Sequence, residues 1–152
     1  MKRMLVLSIL TVLLLSGCGG KSGTLNCTKT STDENNLQTI ETIKVSYKDD
    51  YVTNVENTIK MEVDPFMATF TYNLYDALIT KFNEIDGFDA SLSKENDDVI
   101  VTNFSIDYKN LDVDKLEELF GDSASEGAIY NTNLKLTIDE FVENNLDGYT
   151  CE

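Results

Sequence analysis

The 152-residue sequence contains no histidine and no tryptophan, and only one proline. Without histidine the chain lacks the commonest general base near neutral pH and the commonest zinc ligand, which excludes serine–histidine and cysteine–histidine nucleophiles. Glycine-rich phosphate loops and the GxSxG nucleophile elbow are missing as well. Paired carboxylates remain, but with 27 acidic residues such pairs arise throughout the chain by chance. We therefore expect a protein that is not an enzyme and has no cofactor.

Basic residues are also scarce, since 12 of them stand against 27 acidic ones and give a formal net charge of −15. A field of this sign repels nucleic acid, so we expect no nucleic-acid partner. The charge does not by itself predict disorder. Seven phenylalanines and seven tyrosines, set in periodic patterns, are enough to build a core.

The apolar run near the start, Met4–Leu15, is too short for a transmembrane helix, which needs about 20 residues. Two basic residues precede this run, and Leu15-Ser16-Gly17-Cys18 ends it. A charged start, a short apolar segment and small residues before a cysteine are typical of bacterial lipoprotein signals. We expect cleavage before Cys18, lipidation of that cysteine and anchoring to the extracytoplasmic side of the cell membrane. The alternative is an ordinary secretory signal in which the cysteine is incidental.

Removing residues 1–17 as a signal peptide takes 17 of the 152 residues and leaves 135, the length of one ordinary domain. The two basic residues of the signal are lost with it, so the formal charge becomes −17. Residues 18–23 are then the lipidated cysteine and a flexible tether rich in glycine. Residues 24–152 are expected to form a single domain close to the membrane surface.

The chain has three cysteines. If Cys18 is lipidated, Cys27 and Cys151 remain as a pair in an oxidising compartment. We predict a disulfide between them, which in the loop-entropy model stabilises the fold by about 3–5 kcal/mol. Two free thiols are the alternative if the host lacks oxidising machinery. A redox-active pair is disfavoured because the close CxxC spacing is missing.

Alternating apolar and polar residues predict the strands. Residues 24–30 form a first strand, and residues 39–48 and 51–61 form a hairpin around Asp49-Asp50. A two-residue turn there would place Val55 and Ile59 on the wrong face, so we expect an odd loop with a bulge, such as residues 49–51. A second hairpin joins residues 88–94 to residues 99–108.

One long helix is predicted between the hairpins, with Asp64 as N-cap, Pro65 in the first position and Gly87 at its end. Its apolar residues recur every three or four positions and are expected to face the sheet: Phe66, Phe70, Leu74, Ala77, Leu78, Phe82 and Ile85. Shorter helices follow at residues 112–120 and after a capping box at residues 137–140, with a loop at residues 123–133 between them. The order predicts an α+β fold, an antiparallel sheet built from hairpins with one long helix and two shorter helices packed on one face.

Four segments of this pattern resemble the YehR-like family of small bacterial lipoproteins. They are Leu15-Ser16-Gly17-Cys18, Leu25-Asn26-Cys27-Thr28, Val45-Ser46-Tyr47-Lys48-Asp49-Asp50 and Gly148-Tyr149-Thr150-Cys151. The resemblance spans most of the mature chain. It implies lipidation and an α+β fold, and it supplies no catalytic residues.

One acidic cluster offers oxygen ligands of the kind that calcium prefers, within eight residues of a predicted loop: Asp107, Asn110, Asp112 and Asp114. The cluster lacks the glycine and the closing glutamate of an EF-hand, and helix N-caps at Asp112 or Asp114 are the favoured interpretation, so no metal site is expected. The sequence thus favours a membrane-anchored, non-enzymatic binding or accessory module with a protein or cell-envelope partner. The alternatives are a carboxylate-dependent cell-envelope hydrolase and a calcium-dependent module.

Overall fold

The computed structural model describes residues 20–120 and 133–152, so the predicted signal peptide, Cys18 and most of the loop predicted at 123–133 lie outside the described residues. The described residues form an antiparallel six-stranded sheet with three helices, which confirms the predicted α+β class. The elements are β1 (Gly23–Thr32), β2 (Gln38–Lys48), β3 (Tyr51–Glu62), α1 (Ala68–Phe82), β4 (Phe88–Asn96), β5 (Val99–Asp107), α2 (Val113–Phe120), α3 (Ile138–Asn145) and β6 (Thr150–Cys151). Their order in the sheet is β4-β5-β3-β2-β1-β6.

Alternation along the strands gives the sheet one apolar and one polar face. On the apolar face Val45 of β2 lies opposite Val55 of β3, which in turn lies opposite Ile106 of β5, and all three are buried. The same core contains a buried side chain from each helix: Phe82 of α1, Leu116 of α2 and Phe141 of α3. The helices therefore share the apolar face, and the side chains of the other face are mostly serine, threonine, asparagine and charged residues.

The turn between β2 and β3 has two residues, so the expected three-residue loop is wrong. Asp49 (φ 53°) and Asp50 (φ 71°) adopt the left-handed values of the hairpin turn that matches strand twist. The register shifts just beyond this turn, at Thr53, which has no residue paired with it in the β2 register, although its hydroxyl donates to the Ser46 carbonyl over 3.0 Å. Because this bulge changes the phase of β3 by one residue, Val52 and Val55 both reach the core.

The segment before β1 is fastened to that turn. The backbone N–H of Lys21 donates to Asp50 Oδ1 over 2.7 Å, and the backbone N–H of Asp50 donates to the Lys21 carbonyl over 2.8 Å. The Lys21 ammonium group also pairs with Asp139 of α3 over 3.2 Å. Residues from Gly20 onward, which the sequence assigns to a flexible tether, are therefore held against the fold two positions after Cys18.

The predicted disulfide between Cys27 and Cys151 is confirmed, with an S–S distance of 2.06 Å. It joins positions 124 residues apart in the chain. Cys151 lies in β6, which pairs with β1 so that the two cysteines are direct cross-strand partners. The C-terminal strand is thereby tied to the edge of the sheet.

Helix α3 begins with the predicted capping box. The Glu140 backbone N–H donates to Thr137 Oγ1 over 3.3 Å, and the Thr137 N–H donates to Glu140 Oε2 over 3.0 Å. The hydrogen bonds from the backbone and the hydroxyl of Thr137 lower the pKa of Glu140. Phe141 and Leu146 are buried in the core, whereas Val142 is exposed.

Helix α1 is shorter than predicted. It begins at Ala68, after a turn in which Asp64 Oδ1 accepts a hydrogen bond from the Phe66 backbone over 2.8 Å. It ends at Phe82, and Gly87 adopts a left-handed conformation (φ 79°) in the turn that leads to β4. Asp64 therefore caps a turn and not the helix, so the predicted start at Pro65 is wrong.

The side of α1 that faces the core is also different from the predicted one. Ala68, Ile79 and Phe82 are buried, and Tyr72 and Tyr75 are half-buried. Five residues that were expected to face the sheet are exposed instead, namely Phe66, Phe70, Leu74, Ala77 and Leu78, whereas Phe82 and Ile85 are buried as expected. Since one residue advances an α-helix by about 100°, the buried side is rotated by about that angle from the predicted one.

Aromatic packing at the end of α1 fixes this rotation. The Phe82 ring stacks on Phe88, the first residue of β4, with 4.7 Å between ring centroids. It also meets the Phe104 ring of β5 edge-on at 5.6 Å. Pairs of this geometry contribute about 0.5–1.5 kcal/mol beyond their buried area, so Phe82 holds the helix in one orientation.

The orientation of α1 can be tested with the matched variants Phe82→Ala and Leu74→Ala. Phe82→Ala should lower the free energy of unfolding by about 3–5 kcal/mol, because it leaves a cavity among three aromatic rings. Leu74→Ala should change it by no more than about 0.5 kcal/mol, because the leucine is exposed. Urea unfolding followed by circular dichroism measures both, since the chain has no tryptophan for fluorescence. Equal destabilisation by the two variants would contradict this orientation.

The disulfide should carry a large share of the stability. The double variant Cys27→Ala/Cys151→Ala should lower the free energy of unfolding by about 2–5 kcal/mol, because the unfolded chain regains the entropy of a long loop. The same urea titration measures this, with the reduced wild-type protein as control. A loss below about 1 kcal/mol for both samples would mean that the β1–β6 pairing persists without the bond.

Candidate binding surface

A strip of exposed apolar side chains runs from the turn before α1 along the solvent side of that helix, and we call it the apolar strip. Its members are Phe66 (93% exposed), Met67 (45%), Phe70 (64%), Leu74 (52%) and Leu78 (38%). They make up five of the eight exposed large apolar residues in the part of the chain that the structure describes. From Phe66 to Leu78 the strip is about 18 Å long at 1.5 Å per residue. Clustering of this kind marks interaction surfaces, whereas exposed apolar residues scattered singly do not.

The position of α1 in the fold explains why the strip is uncovered. The helix contacts β4 and β5, and β4 is the edge strand of the sheet. Only one side of a helix over a sheet edge can pack on the sheet. The helix nevertheless carries apolar residues on two sides, while Thr69, Asn73, Asp76 and Thr80 form its polar side. The strip is the apolar side for which the sheet edge provides no partner.

Acidic residues surround the start of the strip. The Val63 backbone N–H donates to the Asp98 carbonyl over 2.8 Å, which brings the β4–β5 turn beside the segment that leads into α1. Asp64, Asp97 and Asp98 are all exposed there. The nearby acidic residue Glu95 is neutralised by an ion pair with Lys60. The strip therefore begins in a region of net negative charge.

The polar face of the sheet carries a shallow groove of about 460 Å³ across β3, β5 and β4. Its polar lining comprises Glu56, Thr58, Asp89, Ser91, Asn103 and Ser105. Thr58 Oγ1 donates to Asn103 Oδ1 over 2.8 Å, and Asn103 Nδ2 donates to Ser91 Oγ over 3.3 Å, which links the three strands. These side chains satisfy one another, so the groove is a hydrogen-bonded surface of the sheet.

The two carboxylates of the groove do not form a close pair. Glu56 and Asp89 both lie beside Ser105 of β5, on strands either side of it, so their backbones are about 10 Å apart at 4.8 Å per strand. Glu56 is engaged by Lys44 of β2, whose Nζ lies 3.1 Å from Glu56 Oε1. The groove thus offers one free carboxylate among hydroxyl and amide groups.

A polar cluster lies on the apolar face of the sheet. Its residues occupy strand positions at which the alternation predicts apolar side chains. Asn57 is 1% exposed, and its Nδ2 donates to Glu41 Oε1 over 3.0 Å. Burial, together with the hydrogen bond to Glu41 and its charge, raises the pKa of Tyr149 above the usual tyrosine range. Lys29 Nζ lies 5.2 Å from the centre of the Tyr149 ring and donates to the Asp147 carbonyl over 3.1 Å. The cluster ties the C-terminal segment to β1, β2 and β3.

Sequence reasoning did not single out this cluster, although a signal was present. Glu41 is in phase with Ile43 and Val45 of β2, and Asn57 is in phase with Val55 of β3. A polar residue at a core-facing position usually has a hydrogen-bond partner. In this structure Asn57 Oδ1 has none among the described residues. Because the contacts of the cluster join the C-terminal segment to the strands, we assign it a structural role and not a binding role.

The acidic cluster that was considered for calcium is engaged in local hydrogen bonds. Asp107 Oδ2 accepts from Asn110 Nδ2 over 2.7 Å, and Asp112 Oδ1 accepts from the Lys115 backbone over 3.1 Å at the start of α2. Asp112 is therefore the N-cap of that helix, as the favoured interpretation had it. Among residues 20–120 and 133–152, no three cysteine or acidic residues are grouped so that they could hold a metal ion.

The remaining predicted site residue, Cys18, lies outside the described residues, while Cys27 and Cys151 form the disulfide. None of the helices within the described ranges has the length and apolar character to cross a membrane.

The fold is similar to two solved structures. The NMR structure of a protein from Streptococcus pneumoniae TIGR4 matches with a TM-score of 0.57 and 17% identity, over 88% of this chain and 86% of that one. The NMR structure of the Escherichia coli YehR protein matches with a TM-score of 0.60 and 18% identity, over 88% and 92%. Identities this low show the fold alone, which is a YehR-like fold. No protein-family model and no curated protein sequence matches the chain.

Proposed function

We propose that this protein is a lipid-anchored module on the extracytoplasmic side of a bacterial cell membrane that binds another protein through the apolar strip. The observation that carries the proposal is the exposure of five large apolar side chains, three on one side of α1 and two in the turn that leads into it. Exposed apolar surface of this kind promotes nonspecific association, so a soluble domain retains it where a partner covers it. The proposed role is binding and not catalysis.

The membrane anchor is proposed from the motif Leu15-Ser16-Gly17-Cys18 and the short apolar run before it. The same motif and the YehR-like fold support membership of the YehR-like lipoproteins. The contacts of Gly20 and Lys21 with the β2–β3 turn add a geometric consequence. Only Gly19 then separates a lipidated Cys18 from the fastened segment, a distance of about 7 Å over two steps of extended chain.

A carboxylate-dependent hydrolase has less support. Such enzymes need one acidic group on each side of a bound substrate, held in a cleft. The groove on the polar face is shallow, and Lys44 neutralises one of its two carboxylates. The apolar strip offers no group for acid–base chemistry, because it contains only phenylalanine, methionine and leucine.

The anchor can be tested with Cys18→Ala. This variant should move from the membrane fraction to the soluble fraction or the medium, because the thiol that would carry the lipid is missing. Immunoblotting after ultracentrifugation measures the distribution. Cys151→Ala serves as the control and should stay with the membrane. A Cys18→Ala protein that remains in the membrane fraction would contradict lipid anchoring.

The binding role can be tested by cross-linking inside cells that produce the protein. The photoreactive residue p-benzoylphenylalanine replaces Phe70 in the strip or, as a matched control, Asn73 on the polar side of the same helix. Irradiation should give a discrete protein adduct from position 70 and little from position 73, because only the strip is covered by the partner. Gel mobility and mass spectrometry identify the adduct. The same pattern from both positions, or no adduct from position 70, would overturn the proposal.

A further inference from the structure

We propose that the partner segment that covers the apolar strip is an amphipathic helix whose apolar face is flanked by lysine or arginine. This inference rests on the proposed function of the strip as a binding surface and adds the chemistry of the occupant. Three properties of the described residues carry it: the place of the strip relative to the start of the chain, the charges around it and the spacing of its side chains.

The strip begins at the end of the sheet farthest from the fastened N-terminal segment. The strands of the sheet end on two opposite sides. We call the side with Lys21 and Asp50 the anchor edge and the side with Thr32 and Glu62 the distal edge. Both names refer to ends of strands and not to the edge strands β4 and β6. Strand β3 runs from the one to the other over 12 residues, about 36 Å at 3.3 Å per step. Helix α1 starts beyond the distal edge and runs back, so its first residues lie about 30 Å or more from the anchor edge.

This geometry disfavours the bilayer as the occupant. With a lipid on Cys18 the anchor edge lies at the membrane surface, so the whole strip reaches lipid only if the domain lies on its side. That orientation would press Asp64, Asp97 and Asp98 into the headgroup region. Bacterial headgroups that carry negative charge repel these carboxylates. The strip is therefore presented to molecules that approach from outside the membrane.

The charges around the strip select a basic partner. Asp64, Asp97 and Asp98 lie at its start, and the chain as a whole carries a formal charge of −15. A segment that adds basic residues beside its apolar face gains attraction over the Debye length, about 10 Å at 0.1 M salt. A second copy of this chain brings the same negative charges to the contact, so self-association is disfavoured.

The spacing of the strip matches a helix. Phe70, Leu74 and Leu78 of α1 follow one another every fourth residue, and such rows form the ridges that pack into the grooves of a second helix. Phe66 extends this row by one apolar side chain in the turn before the helix. Among the described residues no further strand lies beside β4, which leaves that side of the sheet open to a partner helix along the strip. A partner helix of about 12–16 residues spans the 18 Å length with three or four apolar anchors.

The test uses the full chain with p-benzoylphenylalanine at position 70, reconstituted in phosphatidylcholine vesicles, which carry no net charge. Two synthetic helical peptides of about 16 residues serve as probes. They share one leucine face and differ only in having lysine or glutamate beside it. The photoadduct yield at position 70, divided by that at position 73, is measured for each probe.

The lysine peptide should give about tenfold more adduct than the glutamate peptide at about 0.1 M salt, the effect of two or three exposed ion pairs. At about 1 M salt, where the Debye length is about 3 Å, the preference should fall to about twofold. The variant Asp97→Asn/Asp98→Asn should reduce the preference at low salt about threefold. Thr69→Ser, on the polar side of α1, is the control and should leave it unchanged.

Equal adduct from both peptides would overturn the inference about charge, while the cellular adduct at position 70 would still support the proposed binding role. A product of twice the mass of the chain, or a lipid adduct as the main product, would replace the proposed helix by a second copy or the bilayer. If neither peptide reacts at position 70, the helical occupant is wrong. The proposed function fails separately, through the absence of a cellular adduct.

Discussion

The contact of Phe82 with Phe88 and Phe104 is the constraint on which the candidate binding surface depends. Phe82 ends α1 and Phe88 begins β4, so a connection of five residues joins two stacked rings. Phe104 on β5 closes the cluster at right angles. With the end of α1 held in this way, its rotation is set, and Phe70, Leu74 and Leu78 have to face solvent. A rotation of about 100° would bury them and expose Ile79 instead.

The strands could be predicted because period-two alternation is unambiguous when one face is buried. The disulfide followed from cysteine count and compartment. The rotation of α1 could not be predicted from periodicity. Its apolar residues span two sides, so a stripe through Phe70 and Leu74 and a stripe through Tyr75 and Ile79 both satisfy helical spacing. The choice between them depends on contacts with β4 and β5. These strands are separate from the helix in sequence, so the pattern of residues within the helix does not reveal the contacts.

Two smaller features also could not be predicted in full from local sequence patterns. A bulge in this hairpin was expected, but not at Thr53. The phases of the two strands require one extra residue without fixing where that residue is inserted. Glu41 and Asn57 interrupt the apolar alternation. Asn57 donates to Glu41, and the other partner of Glu41, Tyr149, lies about a hundred residues further along the chain. Local sequence shows that such residues need partners but does not identify them. The candidate surface was missed for the related reason that an apolar helix side is first assigned to the core.

In the proposed function, attachment and recognition lie at opposite ends of the fold. Lys21, Asp50 and Asp139 hold the N-terminal segment at one end of the sheet, and the apolar strip starts at the other end. An antiparallel sheet is stiff along its strands, so the distance between the two ends is fixed by strand length and not by a flexible linker. If Cys18 carries the proposed lipid, the sheet sets both the height and the outward direction of the strip. A protein whose work is to present one surface at a constant distance from a membrane needs these two properties and no catalytic group.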